Sequence, residues 1–344
     1  MLVLIYGPPL SAKTTLAREL ASRYKSSFYV DLSFIKTSKQ EKLLYDALDK
    51  NEYKSSQTKT SKTKKDLKQG RSVEVQVEKT TSLDKDFIDS YDIYIFDNFK
   101  DEFFLLAGLK NAIVITKEFI ELKDYKAIKT FSFDYATLKA KHDCNLPNFI
   151  KHGNNPSLYD VSESKRLNLK LQSLKLALGE DLDIFLHLLE WQSCKVSFNF
   201  LYKKLRLSMK ISKDRIYLLL HKLESHSIIF TKTNRLYFYD FSLGVSLGLS
   251  TFMQSFENMV FLELIALGFE LVASKQGTFE STKFCFLCLP FASGDILEKR
   301  LKKISLLNSK VAVAITMSYE LKGVNILALP FERLPLLLDE RLTS

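Results

Sequence analysis

No stretch of about 18 uncharged apolar residues occurs anywhere in this 344-residue chain, so a membrane-spanning helix is not expected. The first apolar run, Leu2 to Tyr6, has no basic region ahead of it and is too short for a signal peptide. The expectation is a cytoplasmic protein with no membrane partner. Cysteine is also scarce. Cys144, Cys194, Cys285 and Cys288 are too few and too scattered for a disulfide framework. Cys285-x-x-Cys288 has metal-site spacing, but no second pair completes a zinc site. It lies in an apolar run, Phe284 to Leu289, that reads as a strand, so buried strand cysteines are expected.

Acidic charge is in deficit, with a net charge of +10. Much of the excess is local. Lys54 to Arg71 carries six Lys and one Arg against the single acid Asp66, and Leu67 is its only large apolar residue. Such a segment buries too little surface to offset its ordering entropy, so a disordered insertion is expected at about 54–71. It reads either as an electrostatic tether for nucleic acid or as a solvated lysine-rich loop. The absence of interleaved aromatics favours the loop. The length suggests about two to three domains.

What is present begins at the N-terminus. Gly7-Pro8-Pro9-Leu10-Ser11-Ala12-Lys13-Thr14-Thr15 follows an apolar strand and precedes a helical run, Thr14 to Tyr24. This is the strand–loop–helix context of a phosphate-binding loop, G-x-x-x-x-G-K-[ST], with Ala12 where the second glycine belongs. Backbone N–H groups and the helix dipole would hold phosphate. The candidate nucleotide-binding residues are Gly7, Pro8, Ser11, Ala12, Lys13, Thr14 and Thr15. Lys13 would reach the β- and γ-phosphates and Thr14 would face Mg²⁺. Ala12 fits this role if its φ is negative, as a helix-entry position permits.

Short apolar runs then alternate with helical ones. Strands are expected at Leu2–Tyr6, Phe28–Leu32, Ser72–Val77, Ile93–Phe96, Ala112–Thr116 and Ala127–Phe131. Helices are expected at Gln40–Leu48, Leu83–Asp89 and Lys100–Ala107. This alternation predicts a parallel sheet with its ligand at the strand ends. Ile93-Tyr94-Ile95-Phe96-Asp97 delivers an acid to the loop's metal, making Thr14 and Asp97 the candidate Mg²⁺ ligands. Hydrolysing proteins with this pair of motifs generally carry Glu next. Here Asn98 stands there, and an amide does not accept a proton as a carboxylate does. Hydrolysis is therefore expected to be slow, and Asn98→Glu to raise turnover if Asn98 is the lesion. Asp101 and Glu102 are nearby substitutes in sequence. Thr116, at a strand end, is placed as a γ-phosphate sensor. Asn98 and Thr116 are the candidate catalytic residues.

Residues 167–240 change character. Helices at Leu182–Leu189, Val196–Leu205 and Lys213–Leu223 precede two short strands, Ile228–Thr231 and Arg235–Tyr239, joined by Lys232-Thr233-Asn234. Three helices and a hairpin make a winged helix. Lys213 and Arg215 open its candidate recognition helix, with Lys203, Lys204 and Lys222 nearby. DNA contact and a lid or protein-contact role both remain open.

The order of features resembles bacterial and archaeal AAA+-like P-loop ATPases that carry a winged helix and a C-terminal restriction-endonuclease-like domain. Phe131-Ser132-Phe133-Asp134 is similar to that family's L-x-P-[LF]-S-F-x-E segment, and Phe149-Ile150-Lys151-His152-Gly153-Asn154-Asn155-Pro156 to its F-x-x-Y-G-G-x-P turn. Tyr237-Phe238-Tyr239-Asp240 resembles its Y-F-x-D, and Phe256 to Leu264 its F-E-N-x-V-x-x-E-L helix. The resemblance implies a last domain whose nuclease site would use a helix acid, Glu257 or Glu263, and a strand acid. Lys283 stands where that aspartate belongs, and Glu280 is out of register, so this domain is expected to lack catalysis.

The expected fold class is α/β: a P-loop NTPase parallel sheet (residues 1–140), a helical connector (141–180), a winged helix (181–245) and an α/β nuclease-like domain (250–344). The expected function is an ATP-binding, Mg²⁺-dependent AAA+-like ATPase or nucleotide-dependent switch with weak hydrolysis. The alternative is a non-enzymatic DNA-binding or scaffold protein with a vestigial loop. Nucleotide is the expected ligand, with DNA through the winged helix or a protein as macromolecular partner.

Overall fold

The structure is a computed structural model that describes residues 1–9, 11–32, 71–75, 91–99, 110–130, 134–231, 235–307 and 310–338. Several expectations lie outside the described residues: the lysine-rich insertion up to Gly70, the helices at Gln40–Leu48, Leu83–Asp89 and Lys100–Ala107, the acids Asp101 and Glu102, Phe131 to Phe133, and the Lys232-Thr233-Asn234 turn. Met1–Gly7 and Ala12–Thr130 form one compact unit; Pro8–Ser11 and Phe131–Ser344 form the other. Among the described residues no helix is long and apolar enough to cross a membrane.

The first unit is built on six strands: β1 (Leu2–Tyr6), β2 (Ser26–Asp31), β3 (Arg71–Val75), β4 (Ile93–Asp97), β5 (Ala112–Thr116) and β6 (Lys126–Lys129). They lie in the order β3-β2-β4-β5-β1-β6, and every pairing is parallel. The central strands β4 and β5 are apolar runs buried along their whole length, as a sheet covered on both faces requires. The period of two sorts the side chains. Leu4, Phe28, Tyr94, Phe96 and Val114 pack on one face. Val3, Ile5, Ile93, Ile95, Ile113 and Ile115 pack on the other, against Ala17 and Ala21 of helix α1 (Lys13–Ala21). Edge strand β6 carries exposed Lys126 and Lys129, charges that discourage further pairing.

The chain leaves β1 toward β2 on one side, whereas it leaves β5 toward β6 on the other. The direction of winding reverses between β1 and β5, and ligands of open parallel sheets bind outside the carboxyl ends at such a switch point. Gly7 follows β1, and Thr116 ends β5 in register with Tyr6.

The second unit opens with α2 (Tyr135–His142), N-capped by Asp134, and α3 (Leu146–His152), N-capped by Asn145. A single-turn segment, Pro156–Leu158, leads to α4 (Glu163–Leu178), α5 (Leu182–Leu189), α6 (Phe198–Ser208) and α7 (Lys213–Ser225). Helix α6 starts two residues later than the apolar pattern suggests, because the Ser197 side chain accepts from the Phe200 N–H and sets the cap. Strands β7 (Ile229–Phe230) and β8 (Tyr237–Phe238) pair antiparallel, and bridges at Gln192–Leu236 and Lys195–Arg235 extend the ladder. Leu174, Phe185, Leu188, Leu201, Leu219, Leu223 and Phe238 share one core.

After α8 (Leu243–Ser246), α9 (Phe252–Ala266) begins with a complete capping box between Thr251 and Gln254. A second sheet follows: β9 (Val272–Ala273), β10 (Phe279–Glu280), β11 (Phe284–Cys288), β12 (Val311–Thr316), β13 (Leu321–Gly323) and β14 (Ile326–Pro330). Its order is β13-β14-β12-β11-β10-β9, with β11, β12 and β14 parallel and the outer pairings antiparallel. Helix α10 (Gly294–Leu307) connects β11 to β12. Cys285 and Cys288 are both buried in β11, as expected, but they join different cores on its two sides. Three residues apart on a strand, they face opposite ways and do not form a ligand pair.

A buried ion pair ties two segments of this unit together. Lys170 Nζ lies 2.7 Å from Asp240 Oδ2 and donates to Ser242 Oγ and the His152 carbonyl. Gly153 closes over this cluster at φ +82°, where a Cβ would stand 2.5 Å from Asp240 Oδ1. The Phe149–Pro156 turn and the Tyr237–Asp240 strand thus meet through Lys170.

Candidate functional site

The loop after β1 depends on its first residue. Gly7 has φ +151°, and a Cβ there would stand 2.3 Å from the Thr130 carbonyl oxygen. Ala12, the N-cap of α1, differs from expectation. Its φ is +57°, in the left-handed region, and not negative. Glycine adopts that conformation without steric cost, which is the physical reason for the usual residue there. The Ala12 carbonyl nevertheless accepts the Leu16 N–H at 2.9 Å and starts the helix. The N-cap residue makes no side-chain cap hydrogen bond, and no acid lies in the first turn of α1.

Lys13 Nζ donates to the Gly7 carbonyl at 2.8 Å, folding the side chain back along the loop. Burial lowers its pKa to about 8, opposed by the charge of Asp97 and reinforced by Lys117. Thr14 Oγ1 donates to Asp97 Oδ2 at 2.8 Å, which brings the loop and the acid at the end of β4 into contact. Within Pro8–Ser11, Ser11 Oγ donates to the Pro8 carbonyl at 2.9 Å. Thr15 is exposed on the first turn. Thr116 is buried, and its hydroxyl donates to the Glu118 carbonyl, closing a turn of its own.

Two residues that the sequence did not single out complete the cluster. Tyr29 on β2 donates its hydroxyl to Asp97 Oδ2 at 2.8 Å, the oxygen that also serves Thr14. Burial pushes the Tyr29 phenol far above its usual range, helped by Asp97 and Asp31. The Arg18 guanidinium lies 5.3 Å from its ring centre. Asp31 ends β2 directly beside Asp97, and Asn98 Nδ2 donates to Asp31 Oδ1 at 2.8 Å. Asn98 itself has φ +56°, a conformation that Asn tolerates, and its N–H donates to Asp97 Oδ1. The available signal was that Phe28-Tyr29-Val30-Asp31 ends an apolar strand in an acid just as Ile95-Phe96-Asp97 does.

Groups of three or more His, Cys, Asp or Glu able to hold a metal are absent among the described residues. Mg²⁺ does not need one, since it commonly takes one or two carboxylates together with substrate phosphates and waters. Thr14 offers a hydroxyl and Asp97 a carboxylate in contact with each other, with the Tyr29 hydroxyl on the same carboxylate oxygen.

Comparison with protein-family models, with curated proteins and with solved structures found no match.

The other candidate sites are placed differently. In the second unit, Glu257 Oε1 accepts from Arg235 Nη1 and the Tyr237 hydroxyl, both at 2.9 Å. Glu263 accepts from the Tyr135 N–H. Both acids are thus engaged by hydrogen bonds within the second unit. Lys283 is exposed at the foot of β11, and Glu280 pairs with Lys310. On α7, Arg215 and Lys222 both pair with Asp181, at 3.2 and 3.8 Å.

Proposed function

We propose that the first unit binds ATP with Mg²⁺ and works as a nucleotide-dependent switch with slow hydrolysis. The observation that carries this reading is the 2.8 Å contact between Thr14 Oγ1 and Asp97 Oδ2, which unites a phosphate-loop hydroxyl and a strand-end carboxylate 83 residues apart. The all-parallel sheet and its switch point beside Gly7 support it further. In this reading the first unit is a P-loop NTPase sheet of AAA+-like type. The helices and strand pair from Leu182 to Phe238 are a winged helix, and the second sheet belongs to a nuclease-like fold that has lost its site.

Each residue then has a defined task. The N-terminus of α1 holds the β-phosphate. Lys13, released from the Gly7 carbonyl, neutralises phosphate charge. Thr14 and Asp97 hold Mg²⁺, which supplies charge neutralisation on the phosphate oxygens when bound. Tyr29 keeps Asp97 oriented by its hydroxyl. Asn98 has no basic site for a proton, so its part is to hold Asp31. Asp31 is the remaining strand-end carboxylate and the group to orient an attacking water.

Isothermal titration with MgATP tests the proposal. Binding by the full chain that is lost in Lys13→Ala is expected; equal binding by both proteins, or none by either, overturns it.

A further inference from the structure

A concentration of positive charge lies well away from Asp97 in the sequence. From Lys195 to Lys213 the chain has six Lys or Arg residues and no Asp or Glu. Helix α6 and the turn into α7 gather five of them on one surface. A hollow of about 670 Å³ is lined by Asn199, Tyr202, Lys203, Lys204, Arg206, Leu207 and Lys213, and Lys210 lines the adjoining one. All five cations are exposed.

Their partners are informative. Lys213 Nζ rests 5.3 Å from the Tyr202 ring centre, and Lys204 Nζ lies 5.8 Å from the rings of both Trp191 and Phe200. Lys203, Arg206 and Lys210 have no carboxylate within ion-pair distance among the described residues. The nearest acid in sequence is Asp214, in the first turn of α7. The cations of α7 itself are in the opposite condition, because Asp181 lies against both Arg215 and Lys222.

We infer that this surface, formed by α6 and the α6–α7 turn, binds the phosphate backbone of duplex DNA, and that the outer face of α7 is not its main contact. Unpaired cations gain most from phosphate, because each contact releases condensed counterions from the duplex, whereas a cation already paired to Asp181 gains less. The first helix and turn of a two-helix motif are suitably placed to cross a DNA backbone. A single strand is disfavoured, since it needs open aromatic faces on which to stack, and Tyr202 and Trp191 already carry lysines over their rings. The exposed face of α7 bears Tyr217 and Leu218, which bring no positive charge to a phosphate and release no counterions. The inference is independent of nucleotide binding.

The test is fluorescence anisotropy of a short labelled DNA duplex titrated with the full chain over a range of salt. The combined Lys203→Gln, Arg206→Gln, Lys210→Gln variant is expected to bind at least ~10-fold more weakly at low salt, with a log–log salt slope shallower by about 3. The Arg215→Gln, Lys222→Gln variant is expected to change the slope by less than about 1. No salt-dependent binding by the unaltered chain overturns the inference. So does equal loss in the two variants, or competition by polyglutamate as strong as by unlabelled duplex. Lysine acetylation of the unaltered protein provides a check that needs no variant. Duplex should protect Lys203 and Lys210 but leave Lys222 reactive, and the reverse pattern overturns the assignment.

Discussion

Asn98 Nδ2 donates to Asp31 Oδ1 over 2.8 Å, so the carboxylate beside Asp97 comes from β2 and not from the residue that follows Asp97. This relationship changes what the Asn at position 98 means. It is a holder for an acid on the neighbouring strand, and its amide donor is in use.

Asn98→Glu is therefore expected to lower turnover, or leave it unchanged, in place of the gain that the motif alone suggests. The new carboxylate would face Asp31 at hydrogen-bond distance and would carry a φ that Glu adopts less readily than Asn. A loss of about 1–2 kcal/mol in stability is expected, read from urea denaturation. A rise in steady-state ATPase rate would show that Asp31 does not fill the role.

Asp31→Asn separates binding from hydrolysis. MgATP affinity measured by calorimetry should stay within a few-fold, because Thr14 and Asp97 are untouched. Single-turnover hydrolysis should fall by at least ~100-fold if Asp31 orients the water. Loss of both would mean that Asp31 supports the fold of the site and no more.

At Ala12 the backbone conformation itself can be tested. The left-handed conformation costs a non-glycine residue ~1–2 kcal/mol, while glycine costs ~0.5–1 kcal/mol in chain entropy. Ala12→Gly should leave stability level or raise it by up to about 1 kcal/mol. Ala12→Val should lose more than about 1 kcal/mol, since a branched Cβ fits that region worse. A denaturation midpoint at or above the parent for Ala12→Gly and below it for Ala12→Val is the expected result.

Glu263 makes a pH prediction in the second unit. Burial raises its pKa to about 7; the Tyr135 N–H opposes the shift and Asp134 adds to it. The folded protein therefore holds this proton to a higher pH than the unfolded chain, whose glutamate titrates near 4.5. The stabilising effect is complete below about pH 4.5, is lost as pH rises to about 7, and is level above, for a total of roughly 3 kcal/mol. Glu263→Gln should flatten that part of the stability profile, as measured by denaturation at several pH values.

Strands β1, β4 and β5 were legible because their apolar runs are uninterrupted, and Leu2–Tyr6 and Ala112–Thr116 appear at the predicted bounds. The early start of β2 was not, because Ser26 is held by its N–H and hydroxyl on Asp92, 66 residues later. Arg215 and Lys222 read as recognition-helix charges until Asp181, the N-cap residue of α5, is brought against both.

By itself, the order of residues determined the phosphate-loop pattern, the apolar strands that make a parallel sheet, and the presence of Ala12 and Asn98 where that pattern has other residues. These are local properties of spacing, periodicity and side-chain chemistry. Tertiary structure alone decided that Thr14 and Tyr29 share one oxygen of Asp97, that Asn98 holds Asp31, and that Ala12 turns left-handed. Each of these depends on which strands are neighbours and how the chain enters a helix between them, and strand order is set by packing of the whole sheet.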